Sequence, residues 1–319
     1  MGLALMLKIR RFIQGKDETI WIGMVNKAFM EFDDFRTATM KDMLNSEKSP
    51  SFDATGMFMA ELDRDSVGFV NAYVDKNREE KKGFIRVLGV MPDHRRKGIG
   101  RVLAEKAVES LKERGMETVE TMAVGDKPAG IQLWESMGFQ QVRVFSLMKR
   151  SLNSLPADVG ENANLTLRKI LQPSEEDIEL VNRLENETFR EHYNFRPATI
   201  EETRFFFTQD SAFKEQEWLI AYLNGLPIGY VGVGVDQKYN TEKNAKAAWI
   251  LDIGVLKEHR LKGVGTRLML EAMKLMKTKD MNEAMLGVDD QNPTKAIKLY
   301  EKVGYRVDRK DLAYQKTIR

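Results

Sequence analysis

The stretch HRRKGIGR runs from His94 to Arg101, and a second version of it, HRLKGVGTR, runs from His259 to Arg267. In each copy an apolar, strand-like run comes before the glycines and a long amphipathic helical pattern follows them. Two glycines beside basic residues, where a strand turns into a helix, let backbone N–H groups approach an anion closely. The stretch therefore indicates a site for a phosphate-bearing cofactor, and it occurs twice.

The similarity between the two halves of the chain extends well beyond this motif. Matching segments begin at Leu7 and Leu165, an offset of 158, and at Ile131 and Ile297, an offset of 166. A slowly growing offset with preserved order is typical of a duplicated domain with small loop insertions. We therefore predict two domains, residues 1–150 and 164–319. The linker between them, residues 151–163, is rich in Ser, Asn, Pro and Gly and contains little to bury.

Composition narrows the class of protein. The length of 319 residues fits two domains of about 150 residues each. Lys and Arg total 50 against 48 for Asp and Glu, so we expect neither a nucleic-acid nor a membrane partner. With no cysteine and three histidines, a metal site is not expected. The apolar start at Gly2–Leu7 is too short for a signal peptide, and we expect a soluble, cytoplasmic monomer or homodimer.

Hydrophobic periodicity predicts the elements of the second copy. Apolar spacing predicts a first helix, two strands joined by the Asn224-Gly225 turn, a third strand and a long helix. A further strand follows, then a helix that Pro293 opens and Gly304 caps. In order, these elements cover Ile178–Phe189, Trp218–Leu223, Pro227–Val235, Trp249–Val255, Gly265–Lys279, Ala284–Val288 and Pro293–Val303.

The glycine motif matches neither of two common nucleotide loops, because it lacks both a third glycine at the dinucleotide spacing and a Gly-Lys-Ser/Thr sequence. Its Arg-x-x-Gly-x-Gly pattern resembles the signature of the GCN5-related N-acetyltransferases (GNAT), here in a tandem two-domain form. The resemblance implies an α/β (α+β) fold of two GNAT-like domains. Each would have a mixed, mostly antiparallel central sheet, splayed between its fourth and fifth strands and flanked by helices.

The resemblance also implies acetyl-CoA as the cofactor, with its pyrophosphate on the glycine loop and its pantetheine arm in the splay. The residues that it marks as cofactor-binding in the N-terminal copy are Val90, Arg95, Arg96, Lys97, Gly98, Ile99, Gly100 and Arg101. In the C-terminal copy they are Ile253, Gly254, Val255, Arg260, Leu261, Lys262, Gly263, Val264, Gly265, Thr266, Arg267 and Asn292.

A second family motif separates the two copies. The C-terminal copy has the pattern that runs from Asn292 to Tyr300, and the resemblance implies that this phenol protonates the departing thiolate. The N-terminal copy has Asp126 and Trp134 at the matching positions. Because an indole cannot act as a general acid, the resemblance implies that the C-terminal domain is catalytic. The N-terminal domain would be degenerate, and either cofactor-binding or structural.

Transfer to an amine also needs a base. An amine with the pKa of lysine is only about one part in 2,500 deprotonated at pH 7, a deficit of roughly 4.6 kcal/mol. Asp252 lies on the strand before the second loop, where the first copy has no carboxylate, and His192 follows the first helix of the second copy. Asp252 either acts as the base or is held by a neighbouring loop or helix. His192 could assist, and Glu187, Glu191 or Arg196 could bind a polar acceptor.

The sequence thus predicts an acyltransferase that moves an acetyl group from acetyl-CoA to a primary amine of a small molecule, by direct attack in a ternary complex. Two alternatives remain open. One is a non-catalytic protein that binds and senses acetyl-CoA, and the other is an N-acetyltransferase that acts on proteins or peptides.

Overall fold

The computed structural model describes residues 7–156, 164–209, 212–213 and 215–319. The apolar start up to residue 6 and residues 157–163 of the predicted linker lie outside the described residues. The chain forms two compact units. The first unit comprises Met1–Arg143 and Asp311–Arg319, and the second unit comprises Val144–Lys310.

The first unit is a sheet with helices between its strands. Its elements, in chain order, are β1 (Leu7–Arg11), α1 (Glu18–Phe29), α2 (Met40–Ser46), β2 (Met57–Leu62), β3 (Asp65–Val74), β4 (Lys82–Val90), α3 (Ile99–Glu113), β5 (Thr118–Val124), α4 (Pro128–Ser136) and the start of β6 (Gln140–Ser151). Neighbouring strands from β1 to β4 pair antiparallel, and β4 pairs parallel with β5.

The second unit repeats this order with one additional helix. Its elements are β7 (Leu165–Ile170), α5 (Glu175–Thr188), α6 (Ile200–Gln209), β8 (Glu215–Leu223), β9 (Leu226–Val235), α7 (Gln237–Lys243), β10 (Ala247–Val255), α8 (Val264–Thr278), β11 (Glu283–Asp289), α9 (Ala296–Lys302) and the start of β12 (Arg306–Thr317). Strands β7 to β10 pair antiparallel, and β10 pairs parallel with β11.

The last strand of each unit comes from the other half of the sequence. In the first unit, Asp311–Thr317 of β12 pair antiparallel with β5. In the second unit, Phe145–Ser151 of β6 pair antiparallel with β11. The predicted domains 1–150 and 164–319 therefore differ from the compact units. The physical reason is that backbone hydrogen bonds tie the end of the chain to the first unit.

Each sheet buries both of its faces. Along β8, Trp218 and Ile220 join the apolar cluster with α5, whereas Leu219 and Ala221 join the cluster with α8. Successive side chains of a strand point to opposite faces, so α5 and α8 cover opposite faces of this sheet. The predicted fold, two tandem domains of mixed α/β structure, is confirmed.

The predicted splay between the fourth and fifth strands is present in both units. Strand β10 pairs with β11 only over Ala247–Trp249, although β10 continues to Val255. Strand β4 pairs with β5 only over Lys82–Ile85 and continues to Val90. A register shift lies between Ile250 and Asp252, just beyond the last paired residue of β10. The strands therefore part beyond it and leave a gap.

Several element boundaries differ from those predicted. Helix α5 starts earlier than Ile178, because Ser174 and Asp177 form a capping box. Helix α9 starts at Ala296 rather than Pro293, because Lys295 adopts a left-handed φ of 57° that interrupts the first turn. Helices α6 and α7 were not predicted as separate elements. Among the described residues, no helix is long and apolar enough to cross a membrane.

Candidate active site

The glycine loop of the second unit opens helix α8. Gly263 is the N-cap residue, with φ of 85°, and a Cβ at this position would have no neighbour within 4 Å. Gly98 before α3 has φ of 83° and the same open space. The N–H groups in the first turn of a helix have no intrahelical acceptor, and the helix dipole adds partial positive charge there. Both loops thus provide an open cradle that suits a phosphate group.

The arginine that begins each loop motif makes three contacts within its own unit. Arg260 donates from Nε to the Val255 carbonyl at 3.0 Å and from Nη2 to the Thr188 carbonyl at 3.0 Å, and its Nη1 contacts Glu191 at 3.1 Å. Arg95 makes the equivalent three contacts, with Val90, Ala28 and Glu31. These two side chains were predicted to bind the cofactor. Because their donors are directed at the protein, they join the strand end, the preceding helix and the loop.

The remaining loop residues fall into two groups. Some side chains have partners of their own: Lys97 donates to the Asp93 carbonyl, Arg101 contacts Ser136 and Glu105, and Arg267 pairs with Glu271. The other residues belong to the cradle through their backbone, at the loop or at the start of the helix. Arg96 and Leu261 have left-handed φ angles of 62° and 60°, Lys262 is exposed, and Ile99, Val264 and Thr266 are buried at the helix starts. Gly100 and Gly265 follow them in the first helical turns.

The end of β10 directs backbone groups into the gap. Leu256 donates its N–H to the Ile228 carbonyl on β9, and Gly254 lies opposite Tyr230 two residues earlier. Hydrogen bonding to one neighbour alternates along an antiparallel strand. The amide groups of Ile253 and Val255 therefore face away from β9, toward β11. By the same alternation Val90 faces the gap in the first unit, since Met91 donates to the Val67 carbonyl.

A group of polar side chains lies beside this part of β10. The Tyr230 hydroxyl donates to Asp252 Oδ2 at 2.6 Å, and the Ile253 N–H donates to Asp252 Oδ1 at 2.8 Å. Burial raises the pKa of Asp252 to about 6. Burial and the charge of Asp252 raise the pKa of Glu185, on α5, to about 7. Asp252 is thus held by the adjacent strand, and it is a stronger base than an ordinary carboxylate.

Tyr300 lies in α9 and is only 7% exposed. Burial and then the charge of Asp252 raise the pKa of Tyr300 above its ordinary value. The phenol is therefore protonated at neutral pH, as an acid must be before it donates. Its neighbour Leu299 packs toward Gly265, which places α9 against the start of α8. The charge of Asp252, the predicted base, therefore reaches Tyr300, the predicted acid.

His192 and its neighbours lie at the end of α5. His192 stacks on Phe189 with ring centroids 4.2 Å apart, and burial, followed by the charge of Arg260, lowers the pKa of His192. A lowered pKa keeps the imidazole neutral at neutral pH, which a base requires. The other candidate acceptor ligands are held in ion pairs: Glu187 with Arg190, Glu191 with Lys257, and Arg196 with Glu202.

Asn292 has a local structural role. Its Oδ1 accepts hydrogen bonds from the N–H of Thr294 at 2.8 Å and from the hydroxyl of Thr294 at 2.7 Å. This turn leads the chain from β11 into α9. The side-chain oxygen therefore helps to position the helix that carries Tyr300.

The first unit has apolar side chains at the equivalent places. Its α1 is held as α5 is: the Asn26 amide pairs with Ala38, and the Asn186 amide pairs with Ala198, at the same two distances of 3.0 and 2.7 Å. The repeat alignment gives the first-unit equivalents of the polar residues in the second unit. Glu185, Thr188 and His192 match Val25, Ala28 and Phe32, and Tyr230, Asp252 and Tyr300 match Phe69, Val87 and Trp134. The cradle is shared, whereas the titratable groups are present only in the second unit.

Sequence reasoning missed Glu185, Thr188 and Tyr230. A signal was available, because the internal repeat aligns each of them with an apolar residue. Such a contrast between two copies marks positions where a polar side chain has a role in one copy only. Within the described residues, no group of three or more His, Asp or Glu side chains is arranged to hold a metal ion.

Comparison with known proteins agrees with this geometry. The model of the acetyltransferase (GNAT) family matches residues 24–139 and 178–305, which is more than half of the chain. The chain belongs to the GNAT acetyltransferase family. The family match falls once in each repeat, so the predicted resemblance is confirmed, and with it the assignment to a family of acyl-transferring enzymes.

Similar curated proteins share part of this chain. A mycothiol acetyltransferase from Streptomyces coelicolor is 29% identical over 42% of this chain and 42% of its own length. One from Thermobispora bispora is 31% identical over 45% of this chain and 50% of its own length. The chain therefore spans about half the length of the curated relatives it matches.

Solved structures match the fold over nearly the whole chain. A tandem GNAT protein from the clavulanic acid biosynthesis pathway has a TM-score of 0.74 at 18% identity, with 98% of each chain covered. A GCN5-related N-acetyltransferase from Sphaerobacter thermophilus has a TM-score of 0.70 at 21% identity, with 98% of this chain and 96% of the other covered. At these identities the likeness shows the fold of two tandem domains.

Proposed function

We propose that this protein is an acetyl-CoA-dependent N-acetyltransferase whose second unit transfers the acetyl group to a primary amine of a small molecule. The observation that carries the proposal is that only the second unit combines the open loop cradle with a carboxylate on the splayed strand, Asp252, and with a buried phenol, Tyr300, whose pKa responds to the charge of Asp252. The names of the curated relatives favour a small-molecule acceptor. Acetyl-CoA would supply an activated acetyl group as a thioester.

Different residues of the second unit have different roles in the transfer. The first-turn amides of α8 hold the anionic end of the cofactor, and the Val255 N–H stabilises negative charge on the carbonyl oxygen. Asp252 accepts the proton of the acceptor ammonium. Because the pKa of Asp252 is raised, proton transfer from an ordinary ammonium group to Asp252 costs about 3 kcal/mol less than transfer to an unperturbed carboxylate. Tyr300 donates its proton to the departing sulfur.

In the first unit, we propose that the loop from Arg95 to Arg101 also holds acetyl-CoA but that no transfer follows. The cradle at Gly98 matches the one at Gly263, yet Val87 and Trp134 offer neither a base nor an acid. An open loop without an acid or a base favours the second candidate function, a protein that binds acetyl-CoA without transferring its acetyl group. Calorimetry that finds one site per chain, lost with a bulky residue at Gly263 and unchanged with one at Gly98, would contradict binding in the first unit.

An acceptor panel tests the proposed function. The full chain is incubated with acetyl-CoA and either small primary amines or lysine-bearing peptides, while thiol release is followed and the product is identified by mass spectrometry. We expect thiol release that depends on a small amine, together with its acetylated product. Silence with every acceptor, combined with tight acetyl-CoA binding, would favour the binding protein. Release with peptides alone would favour the protein or peptide acetyltransferase.

A further inference from the structure

Strand β10 has a bulge that directs Asp252 toward α5. The pairing of β10 with β9 shifts register between Ile250 and Asp252, so Leu251 is an extra residue in the strand. Ile250 and Ile253 both pack in the apolar cluster with α8, although residues three positions apart on a regular strand point to opposite faces. The bulge therefore resets the alternation and places Asp252 on the face that α5 covers. Bulges often re-aim a side chain next to an active site.

The first unit has the same bulge with an apolar side chain after it. The register shift between β3 and β4 leaves Arg86 as the extra residue, and Val87 follows Arg86 as Asp252 follows Leu251. Val87 packs against the apolar cluster of α1, which contains Phe69. The backbone that directs Asp252 is therefore present in both units, and the carboxylate is present only in the second.

Tyr230 and Phe69 also occupy equivalent places. A Cβ on Gly254 would collide with the ring of Tyr230, and a Cβ on Gly89 would collide with the ring of Phe69. Each ring thus lies directly over a glycine of the neighbouring strand, and both residues are fully buried. The two side chains differ by one hydroxyl group at one place in the repeat.

That hydroxyl group bonds to the side chain that the bulge re-aims. Tyr230 donates to Asp252 Oδ2 at 2.6 Å, and the Ile253 N–H donates to Asp252 Oδ1 at 2.8 Å. A buried phenol beside a valine would have no acceptor, and a buried carboxylate beside a phenyl ring would lose a donor, so either change alone costs stability. The hydroxyl and the carboxylate therefore belong together as one pair, and the first unit has the apolar version of it.

We propose that Tyr230 is a positioning residue for the transfer: its hydroxyl holds the Asp252 carboxylate in one orientation and favours the ionised form that accepts a proton. The proton comes from the acceptor ammonium, and Tyr230 keeps its own. Each carboxylate oxygen retains a lone pair for this purpose, because an ionised carboxylate can accept about four hydrogen bonds. The role in transfer rests on the proposed function of Asp252, whereas the effect of Tyr230 on the ionisation of Asp252 does not.

Burial and hydrogen bonding act on Asp252 in opposite directions. Burial raises the pKa of Asp252 to about 6, while the bonds from Tyr230 and Ile253 oppose that rise. On the neighbouring elements, the titratable groups that the charge of Asp252 affects are Glu185 on α5, Tyr230 on β9 and Tyr300 on α9. Burial and this charge raise the pKa of Tyr230, so the phenol stays protonated and remains a donor.

Carboxyl carbon NMR of the full chain without ligands tests the effect on ionisation. With ¹³C-labelled Asp side chains, Asp252→Asn removes the Asp252 signal and so assigns it. We expect Tyr230→Phe to raise the titration midpoint of Asp252 by about one to two pH units, because the ionised form loses a donor. Tyr305→Phe is the matched control: it also removes one buried hydroxyl, and the midpoint should not move. An unchanged or lowered midpoint in Tyr230→Phe would overturn the proposal.

The fold should tolerate Tyr230→Phe, because Phe69 occupies the same place in the first unit. A second measurement needs no variant of Tyr230. With ¹³Cζ-labelled tyrosine, the wild-type chain should have a tyrosine signal that shifts at the midpoint of Asp252 and that loses this shift in Asp252→Asn. The absence of such a signal would also overturn the proposal.

A pH profile then tests the role in transfer. The pH dependence of kcat/KM reports the pKa values of the free enzyme, so Tyr230→Phe should move its acidic limb to higher pH by the same one to two units, while Tyr305→Phe keeps the wild-type limb. A lower rate at every pH with an unmoved limb would overturn the role of Tyr230 in the reaction. A wild-type chain that transfers nothing to any amine would contradict the proposed function, and the NMR titration would still decide whether Tyr230 favours the ionised form of Asp252.

Discussion

At the scale of single residues, the charge of the proposed base affects the proposed acid. Burial, and then the negative charge of Asp252, raise the pKa of Tyr300. In the proposed reaction Asp252 takes up a proton from the amine, so its charge would disappear and Tyr300 would become a stronger acid. The phenol would then be a weak donor before the amine is activated and a better donor when the sulfur departs.

Replacing Tyr300 by Phe tests this assignment. We expect turnover to fall about 100-fold or more, because a positioned acid contributes a factor of that order, while the affinity for acetyl-CoA changes little. Steady-state kinetics and calorimetry measure the two quantities. Tyr305→Phe is the matched control: its ring lies 6.2 Å from that of Tyr300, and its buried hydroxyl has no hydrogen-bond partner. Unchanged turnover in Tyr300→Phe would show that another group protonates the sulfur.

Single residues were predictable where a local motif carries them. Tyr300 and the glycines stand at fixed spacings within family motifs, so the sequence alone could mark them as candidate site residues. Glu185 and Tyr230 come from α5 and β9; Tyr230 reaches Asp252, and the charge of Asp252 reaches Glu185, only because the chain forms the sheet and folds α5 onto it. Their contribution depends on long-range contacts that no spacing within one element encodes.

At the scale of elements, each loop is held in place by the arginine that precedes its glycines. Arg260 binds the strand end, the helix end and Glu191 with three different nitrogens. A guanidinium can donate in several fixed directions, whereas an ammonium is a single point charge. The loop's shape therefore depends on the geometry of this side chain rather than on its charge.

Arg260→Lys should weaken binding of acetyl-CoA to the second unit although the positive charge is retained. Arg95→Lys is its counterpart and should weaken binding to the first unit. Calorimetric titration measures both, with two sites per chain expected in the wild type and a loss of about tenfold or more in affinity at one site in each variant. Lysine variants that bind as tightly as the wild type would show that only charge is required.

Element boundaries were predictable where side chains set them. The strands that flank the Asn224-Gly225 turn and the cap at Gly304 follow the sequence, because positive φ at these residues ends each element. Lys295 has no such local signal, and its left-handed φ shortens α9. Helix α7 coincides with the insertion that raises the repeat offset from 161 at Asp236 to 165 at His259, so its position was visible but its helical form was not.

At the scale of the molecule, duplication has produced two units with one cradle each and one set of titratable groups. The repeat in the sequence showed the duplication, and the family match in both halves confirms it. The exchange of the last strands was not predictable. Strands β6 and β12 occupy the same place in the repeat, and the side-chain pattern of a strand does not say which of two similar edges it pairs with.

Acetyl transfer by two matched loop variants tests most directly the claim that the chemistry belongs to the second unit. Gly263→Val and Gly98→Val each place a side chain in the open cradle and a β-branched residue at a positive φ, at a cost of about 1–2 kcal/mol in each loop. We predict that Gly263→Val loses amine-dependent thiol release at least 100-fold while Gly98→Val retains it. Retained transfer in Gly263→Val together with loss in Gly98→Val would contradict the account.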